Sequence, residues 1–176
     1  MSVWLDPRPC RSTSAPCGGP SAGRVSAVIG STIWQSSAMG YAKRVEIRWR
    51  DLDGFGHVNN AVFLTYLEEA RDEFYTGLLS HDTVNQMVLR HTSVDFQRSL
   101  VQSDDLVDVT LMVIRVGSSS VVTRETITSS ATGEVAAVAE SVMVHCDQAR
   151  ERSQPFPDEA RRLLEAALEP DAKEGE

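Results

Sequence analysis

Hydrophobic and polar positions change their period along the chain, and each change marks an element. Over residues 42–51, Val45, Ile47 and Trp49 alternate with Arg44, Glu46, Arg48 and Arg50, the period of a strand with one buried face. From about Asn60 to Leu79, the apolar residues Val62, Phe63, Tyr66, Leu67, Ala70, Phe74 and Leu78 recur three and four apart. That spacing predicts a helix with one apolar stripe. Ser80, His81, Asp82 and Asn85 read as a polar connection. Residues 86–97 are extended and rich in strand formers such as Val88, Thr92, Val94 and Phe96. Residues 106–116 set Val107, Val109, Leu111 and Val113 on one face. Gly117-Ser118-Ser119 turns the chain into residues 120–128, where Val121, Thr123, Glu125 and Ile127 share a face. Ala131-Thr132-Gly133 leads into residues 134–146, where Ala136, Val138, Glu140, Val142 and Val144 share one. Residues 157–168 form a second helix, with Pro157, Asp158 and Glu159 suited to its first turn. One strand, a long helix and four strands at hairpin spacing predict an α+β domain. Its five-stranded antiparallel sheet wraps round the long central helix, and a short C-terminal helix follows.

The first 38 residues break the pattern. They hold four of the seven prolines and eight serines, and Asp6 stands against Arg8, Arg11 and Arg24. Such a stretch cannot bury enough apolar surface to offset the entropy of ordering it. The expected organisation is therefore a disordered or non-native extension over residues 1–38 and one domain over 39–176, with Met39 as the simplest natural start. The Arg- and Ser-rich, acid-poor composition also fits a transit peptide, and no compact apolar run suggests a secretory signal. A formal charge of −8 gives no electrostatic reason to expect nucleic acid. No apolar run approaches the length of a membrane span. Three cysteines, Cys10, Cys17 and Cys146, make neither a disulfide framework nor a metal cluster. A reducing cytoplasm is the simplest compartment.

The candidate chemistry lies between the first strand and the long helix, in Asp51-Leu52-Asp53-Gly54-Phe55-Gly56-His57-Val58-Asn59-Asn60. Asn59 and Asn60 stand where an N-cap belongs. The loop thus delivers Asp53 to a helix start, where backbone N–H groups are unpaired. Asp53 is either a catalytic carboxylate or a loop aspartate capping a turn. Asp51 reads as support for the loop. His57 orients Asp53, contacts substrate or caps the loop. Glu68, eight residues past Asn60 and on the same helix face, supports the loop or pairs with Arg71 at i+3.

This run, followed by Tyr66-Leu67-Glu68-Glu69-Ala70-Arg71, resembles the 4-hydroxybenzoyl-CoA thioesterase branch of the hotdog-fold acyl-CoA thioesterases. Two later runs carry the same resemblance: Val113-Ile114-Arg115-Val116-Gly117-Ser118-Ser119-Ser120, and Val94-Asp95-Phe96-Gln97-Arg98-Ser99-Leu100. Ser99 stands where that family often has proline. The Gly-His-Val-Asn-Asn loop is closer to bacterial long-chain and general acyl-CoA thioesterases than to the 4-hydroxybenzoyl enzyme. The resemblance implies a hotdog fold, and an acyl-CoA thioesterase that needs neither cofactor nor metal. It implies Asp53 as catalytic carboxylate, acting as general base or nucleophile. It implies the Asn60 N–H as the donor that polarises the thioester carbonyl, with His57 beside them. Asn59, Glu68, Ser118 and Ser119 are the residues it suggests for substrate contact. It also implies a homodimer or homotetramer, and acyl-CoA rather than acyl-carrier protein as substrate. A non-catalytic acyl-CoA binding module on the same fold is the alternative. A hotdog hydratase would need a different Asp-His arrangement, which this sequence does not show.

Overall fold

The computed structural model describes residues 40–149 and 151–169. The expectations for residues 1–38, including Cys10 and Cys17, lie outside the described residues. Strand β1 (Tyr41–Glu46) leads through a 3-10 turn (Trp49–Asp51) to helix α1 (Asn60–Leu78). A short helix α2 (His81–Val84) and strands β2 (Met87–Phe96), β3 (Leu106–Val116), β4 (Ser120–Ser129) and β5 (Val135–Asp147) follow. A two-residue strand β6 (Arg152–Ser153) and helix α3 (Asp158–Ala166) complete the order. The main sheet is antiparallel, in the order β1-β3-β4-β5-β2, and β6 adds only to the end of β5. Five strands curled round α1 make the expected α+β hotdog architecture.

Two local expectations change, and a third element gains its direction. The first strand ends at Glu46 rather than running to residue 51, because the chain tightens into the 3-10 turn. Trp49 is therefore 83% exposed and not on the buried face. The polar connection after α1 contains α2, whose Ser80 N-cap accepts from the Thr83 N–H. On β5 the row facing α1 is Ala137, Ala139 and Ser141, since the Ser141 hydroxyl meets Arg71 of the helix. The larger Val138 and Val142 take the other face with exposed Glu140. Small residues in that row let the helix and the sheet approach closely, which a row of valines would prevent.

The core has two parts. One cluster joins Val45, Ile47, Phe63, Tyr66, Leu67 and Ala70 to Val107, Val109 and Ile127. The other joins Phe74, Tyr75, Leu111, Val113 and Val121 to Phe156, Ala160 and Leu164 of the C-terminal segment. A polar band lies between them in sequence along both the helix and β4. Arg71 Nη1 donates to Glu125 Oε2 at 2.9 Å, and the Thr123 and Ser141 hydroxyls donate to the same carboxylate. Burial pushes the Glu125 carboxyl up from its ordinary range, against the pull of the guanidinium and the two hydroxyls. Arg71 is thus committed to the sheet and not to Glu68, which stands exposed on α1.

Candidate active site

The loop that carries Asp53 is closed by its own hydrogen bonds. The Asp53 N–H donates to the His57 carbonyl at 2.7 Å, and the Gly56 N–H donates to the Asp53 carbonyl at 3.0 Å. Asp53 Oδ1 accepts from the Phe55 N–H at 2.8 Å and the His57 N–H at 3.2 Å. This is the side-chain-to-backbone turn that aspartate favours. Gly56 takes φ +78° at the bend, a conformation that L side chains rarely adopt. Beneath the turn Leu52 bridges Val58 and His57 bridges Val101, and the Val58 N–H donates to the Leu100 carbonyl at 2.8 Å.

Asn59 is the N-cap of α1, and its Oδ1 accepts from the Ala61 N–H at 2.9 Å. Its carbonyl accepts from the Val62 N–H at 2.8 Å. Among the described residues the Asn60 N–H has no acceptor, and Asp53 Oδ2 has no donor. Asp53, His57 and Asn60 line one cleft of about 230 Å³ with Val58, Phe63, Phe96, Gln97, Arg98 and Ser99. Phe63 and Phe96 meet edge to face there, with ring centroids 5.2 Å apart. A larger cleft of about 630 Å³ lies between the end of α1, β5 and α3, and takes in His145 but none of the candidate site residues.

The structure therefore brings Asp53, His57 and Asn60 together and spends Asn59 on the cap. The His57 imidazole does not meet Asp53; the contact is through its backbone N–H. Glu68 is exposed on α1 and does not line the cleft. Ser118 and Ser119 lie in the β3–β4 turn, where their carbonyls accept from the Phe156 and His145 N–H groups, and they do not line it either. Arg98 is the charged wall that spacing alone did not single out. It binds Asp104 through Nη2 and Glu134 through Nε, each at 3.0 Å. The sequence signal was its place straight after β2, which ends beside the cleft.

A curled antiparallel sheet round one long helix, with a carboxylate loop at the helix start, defines the hotdog thioesterase class. The chain belongs to the thioesterase-like superfamily, whose family model matches residues 47–164. It is 30% identical over 129 residues to the long-chain acyl-CoA thioesterase FadM of Escherichia coli (strain K12), covering 69% of this chain and 95% of that protein. A thioesterase from Thermus thermophilus, solved in complex with coenzyme A and Zn, superposes with a TM-score of 0.66 at 32% identity. The match covers 74% of this chain and 95% of that one. A predicted thioesterase from Bacillus stearothermophilus gives a TM-score of 0.65 at 27% identity, over 72% of this chain and 95% of its own.

Proposed function

We propose that this protein hydrolyses acyl-CoA thioesters to a free carboxylic acid and CoA at the Asp53 cleft. The observation that carries the reading is that an unpaired Asn60 N–H at the start of α1 and an unpaired oxygen of Asp53 belong to one cleft. The carbonyl oxygen of the thioester takes the Asn60 N–H, where the helix dipole and a preformed donor stabilise the negative charge of the tetrahedral intermediate. As general base, Asp53 takes a proton from water while the water oxygen bonds to the carbonyl carbon. The C–S bond then breaks, and the proton passes to the departing CoA thiolate. As nucleophile, Asp53 bonds to the carbonyl carbon itself, CoA leaves, and water cleaves the mixed anhydride. Label found in Asp53 after a single turnover in H₂¹⁸O identifies the second route, because only an anhydride cleaved at the Asp53 carbonyl places solvent oxygen there. FadM is named for long-chain acyl-CoA, and we propose acyl-CoA ahead of acyl-carrier protein here.

The functional unit is proposed to be a homodimer or a dimer of dimers. β2 ends the sheet, and Val88, Leu89 and Phe96 on it are 41%, 44% and 44% exposed. A long apolar edge strand invites pairing, and a second copy of the same strand covers it. Phe96 to Ser99 leave β2 straight into the cleft, so the partner would stand beside the substrate. The proposed compartment is the cytoplasm, and no helix among the described residues is long and apolar enough to cross a membrane.

Asp53→Asn keeps the size of the side chain and removes its basicity. Turnover is expected to fall by about 10²-fold or more, the scale of a lost general base, while acyl-CoA binding persists. Parental turnover in Asp53→Asn would remove Asp53 from the chemistry. Binding of acyl-CoAs by the parent with no thiol release from any of them would leave a binding module instead.

A further inference from the structure

We propose that Asp51 and Tyr66 form a positioning pair, a hydrogen bond from helix to loop that sets where the Asp53 carboxylate stands relative to the Asn60 N–H. The inference rests on the reading of Asp53 given above. Asp51 is 6% exposed and Tyr66 is fully buried. The Tyr66 hydroxyl donates to Asp51 Oδ2 at 2.7 Å. Burial and then the neighbouring carboxylate push the phenol up from its usual range, so it keeps its proton and remains the donor. The same Oδ2 accepts from the Arg48 N–H at 2.9 Å, and the Asp51 carbonyl accepts from the N–H of the cap residue Asn59 at 2.9 Å. One residue thereby joins the exit of β1, the base of the loop and the entry of α1.

The loop from Asp53 to His57 is bonded to itself, so it behaves as a small rigid body standing on the Leu52–Val58 bridge. The His57–Val101 bridge and the bond from the Val58 N–H to the Leu100 carbonyl hold its far side, and its angle to the helix is set at its base, where Asp51 lies two residues from Asp53. An outer tie, Arg48 to Glu69 at 3.6 Å, is long and half exposed and fixes little. Capping of the 3-10 turn needs only the Arg48 N–H, and phenylalanine would fill the same place among Ile47, Phe63 and Leu67. A buried hydroxyl on a buried carboxylate is what a reacting geometry needs and simple packing does not.

The test is a double-mutant cycle on the full chain, read as kcat and KM on the best acyl-CoA, with circular dichroism melts to show that each variant is folded at the assay temperature. Tyr66→Phe is expected to lower kcat about tenfold or more, since a 1 Å misplacement of a reacting group costs about 10²-fold, with KM unchanged. In the Asp53→Asn background the same substitution should leave the residual rate unchanged, because no carboxylate remains to be misplaced. Asp51→Asn keeps an acceptor for both donors and should retain most of the parental kcat, whereas Asp51→Ala should not. This pattern also serves if Tyr66→Phe does not fold. Parental kcat in Tyr66→Phe, or an equal loss in both backgrounds, overturns the proposal while leaving Asp53 in place. Parental turnover in Asp53→Asn alone overturns the reading beneath it and the pair with it.

Discussion

Asp104 is 3% exposed and accepts from the Ser129 hydroxyl at 2.7 Å, the Val101 N–H at 2.9 Å and Arg98 Nη2 at 3.0 Å. Burial raises its pKa, but the three donors together outweigh burial and hold the carboxyl below its ordinary value of 3.8. A depressed carboxyl contributes stability above its unfolded pKa, and that stability is lost as pH falls through the folded value. Asp104→Asn is therefore expected to cost about 1–3 kcal/mol at pH 7, with the gap from the parent narrowing below about pH 4. Urea melts at pH 7 and pH 3 check both the size and the sign. At this scale the sequence was uneven. Asp53, Asn59 and Asn60 were legible because loop and cap lie in one contiguous run whose spacing fits one geometry. Asp104 was not, since its partners at 98, 101 and 129 are brought together only by the sheet.

Elements are joined by the polar band as much as by apolar packing. Arg71 ties α1 to β4 and β5 in the interval between the two core clusters. Removing one partner of such a pair leaves a buried charge uncompensated, at about 3–5 kcal/mol. Arg71→Met should lose on that order at pH 7. Its remaining carboxyl, Glu125, is already pushed up by burial, so the folded variant binds a proton more readily than its unfolded chain does. The loss is thus expected to shrink as pH falls toward the ordinary carboxylate range, because the variant gains stability there and not because the parent loses it. Thermal melts at pH 5 and pH 8 decide it, and equal losses at both would contradict the argument. Helix and strands were legible from periods of 3.6 and 2, and β3 fell on the expected residues. Arg71 lay on the apolar stripe and Glu125 on a buried strand face, yet nothing in spacing said that they would meet. On β5 the alternation separated two faces without saying which would turn inward, and the row of Ala137, Ala139 and Ser141 did. The limit there was the room left by α1.

For the whole molecule the proposed assembly is tested at β2. Leu89→Asp places a charge on the exposed end strand and should leave the single chain folded. If the proposed dimer forms through this edge, light scattering will report a monomer, and turnover will fall with it because the cleft loses its neighbour. An unchanged mass would move the interface elsewhere. The sheet wrapped round one helix was legible from element order alone, whereas an interface is not, since no spacing in one chain encodes contacts with a second. The closed turn from Asp53 to His57 has a consequence at this scale too. A site built on a segment that orders only when substrate arrives loses activity on warming before the protein melts, because the segment frays first. Here the carboxylate is held by the same bridges and sheet contacts that hold the fold, so entropy at the site is surrendered during folding and not during binding. Heat should then inactivate and unfold this protein in a single transition, with no warm state that is folded and silent.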